Sequence, residues 1–188
     1  AQTKQEGEKI IADFSKNTPH THSIALRYFN PVGAHLSGKI GEAPVGNYGN
    51  IVPAITQTAI GKIQQFTVFG NDYNTRDGSC IRDYIHVSDI AYAHVLALKS
   101  LVKDKITNNF DIINLGSGNG VTVLEAINAF EKTSGKKLNY KIGARRAGDV
   151  EAIYSDSSKA KKTLGWVPKY NIEQMMETAW KWQLNNKQ

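Results

Sequence analysis

Three segments combine arginine, asparagine and aspartate with glycine or proline, and these residue types are suited to holding a phosphorylated sugar. The segments are RYFNPVG at residues 27–33, the run from Phe69 to Val87, and RRAGD at residues 145–149. A guanidinium group binds phosphate oxygens in pairs, and a carboxylate accepts hydrogen bonds from sugar hydroxyls. Taken singly, each arginine beside an aspartate is also typical of a surface ion pair. Taken together, the segments suit a diphosphate that lies between a ribose and a sugar.

A glycine cluster, GSGNG at residues 116–120, stands between a predicted strand and a predicted helix. It resembles the dinucleotide fingerprint, in which glycines let backbone amides approach a pyrophosphate at the start of a helix. The match is poor, because the third glycine is one residue early and Lys136 and Lys137 stand where an acid is expected. The cluster therefore predicts a tight strand-to-helix turn, with phosphate binding as the alternative.

No histidine or cysteine pattern indicates a metal centre or a hydrolytic triad. His20 and His22 have no cysteine or carboxylate at metal-ligand spacing, which favours an exposed loop. The other histidines are not paired with a nucleophile and an orienting acid. The single Cys80 cannot form an internal disulfide, so we interpret it as inert. A reducing compartment, the cytoplasm, is the expected location.

Composition excludes several classes of protein. The chain has 188 residues, of which 40% are hydrophobic and 21% charged, too apolar for intrinsic disorder. No apolar run approaches the roughly 18 residues of a membrane span, so no membrane partner is expected. Residues 130–188 supply the whole net charge of +6, with 12 basic against 6 acidic residues. No nucleic-acid motif accompanies this charge, which favours a solvated surface over an anion or nucleic-acid patch.

The elements that position these residues alternate between helix and strand, which predicts an α/β architecture. Thr122 and Glu125 form a capping box at one helix start, and Ser88 is a predicted N-cap at another. The Gly/Pro-rich loop at residues 30–49 is long, as functional loops often are. The predicted helices cover 4–16, 51–62, 87–101, a segment from about 122, and 171–183, and the predicted strands cover 23–29, 66–69 and 110–115.

The chain resembles the extended short-chain dehydrogenase/reductase family in four runs: ALRYFNPVGAH, FGNDYNTRDGSCIRDYIHV, INLGSG and RRAGDV. Within that family it is similar to the members that interconvert UDP-glucose and UDP-galactose. The similarity covers essentially all 188 residues but only the C-terminal portion of the family. The resemblance implies a few strands of a Rossmann-type parallel sheet, plus a smaller α/β substrate-binding domain. Residues 1–30 and about 87–135 would be Rossmann-sheet elements, and residues 31–86 and about 136–188 the UDP-sugar-binding domain.

For the intact protein, the resemblance implies NAD-dependent epimerisation at sugar C4, an isomerase activity of galactose metabolism. Family members carry a Gly-rich NAD fingerprint and then a Tyr-x-x-x-Lys motif. The start AQTK resembles the end of that motif, with Lys4 as the catalytic lysine and the tyrosine expected just before Ala1. Lys4 would lower the pKa of that tyrosine and bind the nicotinamide ribose. The chain is therefore expected to lack the fingerprint and the tyrosine, and to be inactive alone.

The resemblance also implies a set of ligand-binding residues. Those expected at the NAD cofactor are Lys4, Tyr28 and Phe29. Those expected at the UDP-sugar are Asn30, Asn50, Ile51, Thr67, Val68, Phe69, Arg82, Arg146, Asp149 and Ile153. Thr67 to Phe69 would line the uracil, the two arginines would hold the diphosphate, and Asp149 would bind the uridine ribose. Ile153 would lie close to the sugar, and its branched side chain leaves the acceptance of N-acetylated sugars open.

Alternative functions remain at this stage. The first is a related epimerase or dehydratase that acts on UDP-glucuronate, UDP-xylose or a dTDP-sugar. The second is a non-catalytic chain that only binds nucleotide sugars. In the family, the helix at residues 4–14 contributes to a dimer interface, so a homodimer is expected for the intact protein and poor solubility for this chain alone.

Overall fold

The computed structural model describes residues 2–44, 49–103 and 108–186. The helices are α1 (Gln2–Asn17), α2 (Ile51–Ala59), α3 (Val87–Val102), α4 (Val123–Ser134), α5 (Ser158–Leu164) and α6 (Ile172–Asn185). The strands are β1 (Ser23–Tyr28), β2 (Asn30–Val32), β3 (Phe66–Phe69), β4 (Ile81–His86), β5 (Phe110–Leu115), β6 (Gly120–Thr122) and β7 (Tyr140–Gly143).

The strands form three small sheets in which parallel pairing dominates. β1 pairs with β5 in parallel, β3 pairs with β7 in parallel, and β2 pairs with β4 in parallel. β6 joins the other side of β4 in the antiparallel direction. Parallel strands need long connections, and here helices α2, α3 and α4 lie in those connections. The predicted α/β class is confirmed.

Two hydrophobic clusters hold these elements together. The first lies among α2, α4, α6 and the strands β3 and β4, and includes Phe130, whose ring meets that of Trp180 edge-on at 5.5 Å. The second lies among β1, β5, α3 and α5, and includes the fully buried Ile113 and Trp166. Burial of these large apolar side chains is the main favourable contribution to folding.

Strand β4 lies between the two clusters and contributes to both. Tyr84 packs in the first cluster and its neighbour Ile85 in the second. The reason is that successive side chains of a strand point to opposite faces. Arg82 therefore shares the face of Tyr84, whereas Asp83 shares the face of Ile85.

Most predicted elements are present, with corrections at their ends. The capping box of Thr122 and Glu125 is confirmed at α4. The predicted N-cap Ser88 is wrong, because His86 caps α3 by accepting a hydrogen bond from the backbone of Ser88. The helix predicted at 51–62 ends at Ala59. Strands β2, β4, β6 and β7 and helix α5 were not predicted, and β2 occupies the start of the expected loop at 30–49.

The described part of that loop packs on the last helix. Lys181 donates to the carbonyl of Leu36 at 2.9 Å, and Asn185 donates to the carbonyl of Gly38 at 3.0 Å. The indole of Trp182 donates to the carbonyl of Glu42 at 2.9 Å. These bonds fix the loop between Leu36 and Glu42, whereas residues 45–48 lie outside the described part of the chain.

The predicted division into Rossmann elements and a UDP-sugar domain stays a prediction. Two elements pack across its expected limits. Helix α4, predicted with the Rossmann elements, packs against α6 in the first cluster. Helix α5, predicted with the UDP-sugar domain, packs against β5 and α3 in the second cluster.

Candidate functional site

An open cleft of about 620 Å³ lies between the start of α2, strand β3 and strand β4. Eight of the ten residues predicted to bind the UDP-sugar line it: Asn30, Asn50, Ile51, Thr67, Phe69, Arg82, Arg146 and Asp149. These residues come from five separate parts of the chain. The fold therefore brings most of the predicted set to one place, and their roles toward a ligand remain a prediction.

Two arginines and one aspartate form the charged end of the cleft. Arg82 Nη2 lies 3.3 Å from Asp149 Oδ1, and Arg146 Nη2 lies 2.9 Å from the same oxygen. Arg146 Nε also donates to Asp149 Oδ2 at 3.1 Å, and these bonds raise the pKa of the Arg146 guanidinium. Both guanidinium groups have N–H donors beyond those used on Asp149, so they can still hold an anion.

Arg82 is held in place by the backbone around it. Its Nη1 donates to the carbonyls of Ile81 and Val150, each at 2.8 Å. Its side chain is only 16% exposed, whereas that of Arg146 is 55% exposed. A guanidinium fixed in this way loses little conformational entropy when it binds a ligand.

The start of α2 also lines the cleft. Asn50 is the N-cap of this helix, but its side chain makes no capping bond. Instead, Asn50 Nδ2 donates to Glu42 Oε1 at 2.6 Å, which leaves the Oδ1 atom as an acceptor. The first backbone N–H groups of a helix have no partner within it, and the N-terminus favours anions. Ile51 stands at this position, on the wall of the cleft.

Beside Arg146, the wall of the cleft is less polar and suits a flat ring. Phe69 is 42% exposed, and the Arg146 guanidinium lies 5.4 Å from the centre of its ring. Thr67, Ile63 and Gln65 continue this wall. Val68 is a correction: its side chain is 1% exposed and packs in the first hydrophobic cluster, because it alternates with Thr67 and Phe69 along β3.

Ile153 also lies outside the wall of this cleft. It is 45% exposed and follows Asp149 along a segment that runs beside β4. Its backbone N–H donates to the carbonyl of Ile81 at 3.2 Å. The expected place of Ile153 beside a sugar stays a prediction.

Lys4, Tyr28 and Phe29 lie at the carboxyl end of β1. Glu8 on α1 accepts a hydrogen bond from Arg27 Nε at 2.7 Å, which sets the helix against the strand. Ser15, near the end of α1, donates to Ser23 at the start of β1 at 3.3 Å, so the helix and the strand run in opposite directions. Lys4, one turn before Glu8, and Phe29, two residues after Arg27, therefore lie toward the same edge. Lys4 is exposed, Tyr28 is 48% exposed and Phe29 is half-buried. These residues lie at an edge where parallel sheets commonly place ligands.

The glycine cluster at 116–120 forms the predicted tight turn and encloses a carboxylate of the protein itself. The backbone N–H groups of Ser117 and Gly118 donate to Asp83 at 2.7 and 3.1 Å. A Cβ atom on Gly116 would lie 2.4 Å from Asp83 Oδ2, so only glycine fits there. The turn thus satisfies an internal anion with the amides that a phosphate would otherwise need.

Several residues of the site were missed by the sequence reasoning. Glu42 orients the Asn50 amide, and Gln65 lines the cleft. Cys80, which directly precedes β4, and Tyr84 line the cleft, because Tyr84 lies on the face of β4 opposite to that of Asp83. Burial raises the pKa of the Tyr84 phenol above its ordinary value, which keeps it neutral. Recognising β4 as a strand would have placed Cys80, Arg82 and Tyr84 on one face.

A second cavity of about 520 Å³ adjoins the first. The two share Asn30, Asn50 and Ile51, so these residues stand at the passage between them. Pro31, His35 and Glu42 belong to the second cavity alone. A ligand longer than a nucleotide could extend from the charged cleft into this space.

The residues that the structure describes contain no group of three or more His, Cys, Asp or Glu side chains that could hold a metal ion. None of their helices combines the length and apolar character that crossing a membrane requires.

Comparison with known proteins gives consistent matches. The sequence profile of a family described as GDP-mannose 4,6 dehydratase matches residues 1–179. The chain is 48% identical to the bifunctional UDP-glucose 4-epimerase and UDP-xylose 4-epimerase 1 of Pisum sativum over 184 residues, 98% of this chain and 52% of that protein. It thus spans about half the length of the curated relatives it matches.

Solved structures agree with the sequence matches. The chain superposes with a TM-score of 0.94 on a UDP-glucose-4-epimerase from Stenotrophomonas maltophila with bound NAD and formylated UDP-arabinopyranose, at 44% identity over 98% of this chain and 54% of that one. The TM-score is 0.89 with the Bifidobacterium longum UDP-glucose 4-epimerase in complex with NAD+ and UDP, at 42% identity over the same shares.

Proposed function

This chain belongs to the extended short-chain dehydrogenase/reductase family, and we propose that it forms the nucleotide-sugar-binding part of an NAD-dependent epimerase. The proposed reaction is the interconversion of UDP-glucose and UDP-galactose at C4. The observation that carries the proposal is that Arg82, Arg146 and Asp149 line one cleft together with Asn50 and the start of α2. Relatives with bound NAD and with UDP or a UDP-sugar have the same fold over 98% of this chain.

In this proposal the cleft holds the UDP part of the substrate. Arg82 and Arg146 bind the diphosphate oxygens, with the backbone N–H of Ile51 opposite. Phe69 and Thr67 border the uracil. Asp149 accepts hydrogen bonds from the ribose hydroxyls and keeps its bonds to the arginines. Because both arginines pair with Asp149, the charged groups are held close together for binding.

Asn30 and Asn50 stand where the sugar would leave this cleft. Both line the two cavities, and the Asn50 amide is oriented by Glu42. An amide fixed at its nitrogen presents its oxygen to a hydroxyl group. These residues would orient the hexose toward the carboxyl end of β1, where Lys4 and Phe29 lie.

The residues at that end of β1 fit the nicotinamide half of NAD. Phe29 and Tyr28 offer aromatic faces that the described residues leave partly exposed, and the Lys4 ammonium is exposed in the first turn of α1. Bound NAD would accept and return a hydride. Within this chain, Lys4 would hold the ribose hydroxyls and Phe29 would exclude water from one side of the ring.

A second candidate substrate is UDP-xylose. The Pisum sativum relative carries that activity in its name together with the UDP-glucose activity. Xylose lacks the C6 group of glucose and would occupy the same cleft through the same UDP contacts. The two sugars would therefore be separated only by residues near the sugar, among which Ile153 is expected.

The intact protein is proposed to be a cytoplasmic homodimer. Ile10 is 68% exposed and Phe14 is 58% exposed on α1. Large apolar side chains that share one exposed helix face are typical of a surface that packs against another. The single Cys80, free and buried, suits a reducing compartment.

The first test is calorimetric titration of this chain with UDP. Arg82→Ala is expected to weaken binding by about tenfold to a hundredfold, because charge-assisted bonds to the diphosphate are lost. Arg76→Ala is the matched control, since Arg76 pairs with Glu125 away from the cleft. Equal loss in both variants would contradict the assignment of the cleft.

The second test measures turnover by the gene product that carries this chain. Formation of UDP-galactose from UDP-glucose, followed by chromatography, supports the proposed reaction. UDP-xylose, UDP-glucuronate and UDP-N-acetylglucosamine are run in parallel. Conversion of another sugar with none of UDP-glucose would replace the substrate, and UDP binding without any conversion would leave a binding protein.

A further inference from the structure

The carboxylate of Asp83 is fully buried, and no cationic side chain of the described residues bonds to it. Its charge is met by five hydrogen bonds. Oδ1 accepts from the backbone N–H and the hydroxyl of Ser117 at 2.7 and 2.6 Å. Oδ2 accepts from the backbone N–H of Gly118 at 3.1 Å, and from the backbone N–H and hydroxyl of Ser155 at 3.0 and 2.6 Å. A buried carboxylate needs such a set of donors.

These bonds join β4 to the segment at 149–155, which carries two residues of the proposed site. Ile81 donates to the carbonyl of Glu151 at 2.9 Å, and Ile153 donates to the carbonyl of Ile81, so the segment runs beside the strand. The ion pair between Arg82 and Asp149 holds the start of this segment, and the hydrogen bonds from Ser155 to Asp83 hold its end. Asp149 is therefore held directly by Arg82, and Ile153 lies between two anchors on neighbouring residues of β4.

We infer that Asp83 is a positioning residue for the nucleotide-sugar site. It holds the segment at 149–155 so that Asp149 meets the arginines and Ile153 keeps its place near the sugar. This inference rests on the proposed function, because it assigns Asp83 to the same site from behind the strand. Asp83 itself lines neither the cleft nor the adjoining cavity.

Only a carboxylate can fill this position. An asparagine has one acceptor oxygen, and its NH₂ group would face either the N–H of Ser117 or the N–H groups of Gly118 and Ser155. A serine hydroxyl can rotate and accept a hydrogen bond from the asparagine NH₂ group. A backbone N–H group is only a donor, so it would be left without an acceptor. Asp83→Asn is therefore expected to fold poorly, and the discriminating variants are placed on its partners.

Ser155 and Ser117 provide a matched pair. Each donates its hydroxyl to Asp83 at 2.6 Å, and each also makes a backbone bond that a substitution to alanine retains. Only Ser155 belongs to the segment that carries Asp149 and Ile153. Ser155→Ala is expected to weaken UDP binding by about threefold to tenfold, whereas Ser117→Ala changes it by less than about twofold, with similar losses of thermal stability.

The experiment is calorimetric titration of the chain and both variants with UDP and with UDP-glucose, beside thermal unfolding followed by circular dichroism. Weaker binding in Ser155→Ala alone supports the positioning role, because a merely structural bond would affect both variants alike. Equal affinities in the two variants would overturn the inference while leaving the proposed function intact. Absence of UDP binding in the unchanged chain would remove the proposed function and this inference together.

Discussion

Arg82 and Asp83 are neighbours on β4, and their surroundings differ in one decisive respect. Asp83 is fully buried, and its two oxygens accept five hydrogen bonds from the protein. Arg82 lines an open cleft of about 620 Å³ and shares Asp149 with Arg146. One face of the strand holds the Asp83 carboxylate, whose hydrogen bonds all come from the protein. The other face carries Arg82, which together with Arg146 has N–H donors left for a ligand.

The difference shows how a binding site is distinguished from a structural one. The turn at 116–118 has the glycines and amides of a phosphate cradle, but Asp83 already occupies it. The arginines have no such motif around them, yet they combine positive charge with open volume. A polar cluster that is fully satisfied and buried stabilises the fold, whereas a partly satisfied one beside a cleft can bind a ligand.

The largest expected effect comes from filling the turn around Asp83. In Gly116→Ala the new Cβ would lie 2.3 Å from Ser155 Oγ and 2.4 Å from Asp83 Oδ2. Something in this buried network must move, so the free energy of unfolding is expected to fall by about 3 kcal/mol or more. Urea denaturation measures the loss.

Gly118→Ala is the control for that substitution. Unlike Gly116, Gly118 has a positive φ, of 72°, but a Cβ there would have its nearest neighbour, Ser155 O, at 3.6 Å. The cost should be about 1–2 kcal/mol, which is the penalty of a left-handed backbone for alanine. A loss at Gly116 no larger than that at Gly118 would show that the network around Asp83 accommodates the added methyl group.

The next largest effect is expected for UDP binding when an arginine of the cleft is replaced. Arg146 lines the cleft, whereas its neighbour Arg145 bonds to Asp72 and stacks on the ring of Tyr73 at 4.1 Å. Arg146→Ala is expected to weaken UDP binding by about tenfold, and Arg145→Ala by less than about threefold. Titration with UDP at low salt measures both. A larger loss for Arg145→Ala would mean that the loop position matters more than the charge.

His86 extends the comparison to the end of β4, where a basic group is buried. It accepts from the backbone N–H of Ser88, contacts Thr178 Oγ1 at 3.0 Å and stacks on Tyr170 at 4.2 Å. Burial lowers the pKa of His86, with Asp89 opposing and His35 supporting the shift. Below about pH 6.5 the unfolded chain is protonated at this histidine more readily than the folded chain. The free energy of unfolding is therefore greatest above about pH 6.5 and falls as the pH decreases below it.

Thermal unfolding between pH 7.5 and 5.5 checks this expectation. His86→Asn keeps a capping acceptor and should show a smaller fall of the melting temperature with decreasing pH. His20→Gln, which changes a histidine on an exposed turn, is the control and should follow the unchanged chain. The same pH dependence in all three proteins would remove His86 as its source.

The smallest effect is a gain at a glycine with nothing around it. Gly7 lies within α1, and a Cβ there would meet no atom within 4 Å. Gly7→Ala should raise the free energy of unfolding by about 0.5–1 kcal/mol, because alanine favours the helix and restricts the unfolded chain. Urea denaturation measures it, and a loss of stability would indicate an unrecognised contact at this face of α1.

Local patterns predicted much of the secondary structure. The strand at 66–69 and the strand at 110–115 have the predicted bounds, and the Thr122 capping box starts α4 as expected. These features depend on neighbouring residues alone. β4 and β7 were missed, because their charged or tyrosine side chains alternate over a few residues only and their partners are distant in the chain.

The sequence by itself determined the α/β class, the family resemblance and the residue types that suit a nucleotide sugar, because these follow from short runs of letters in order. Only the tertiary structure decided that Arg82 and Arg146 meet at Asp149, that Val68 points into the core, and that the glycine turn encloses Asp83. The physical reason is strand alternation combined with long-range pairing: the face on which a side chain lies depends on partners tens of residues away.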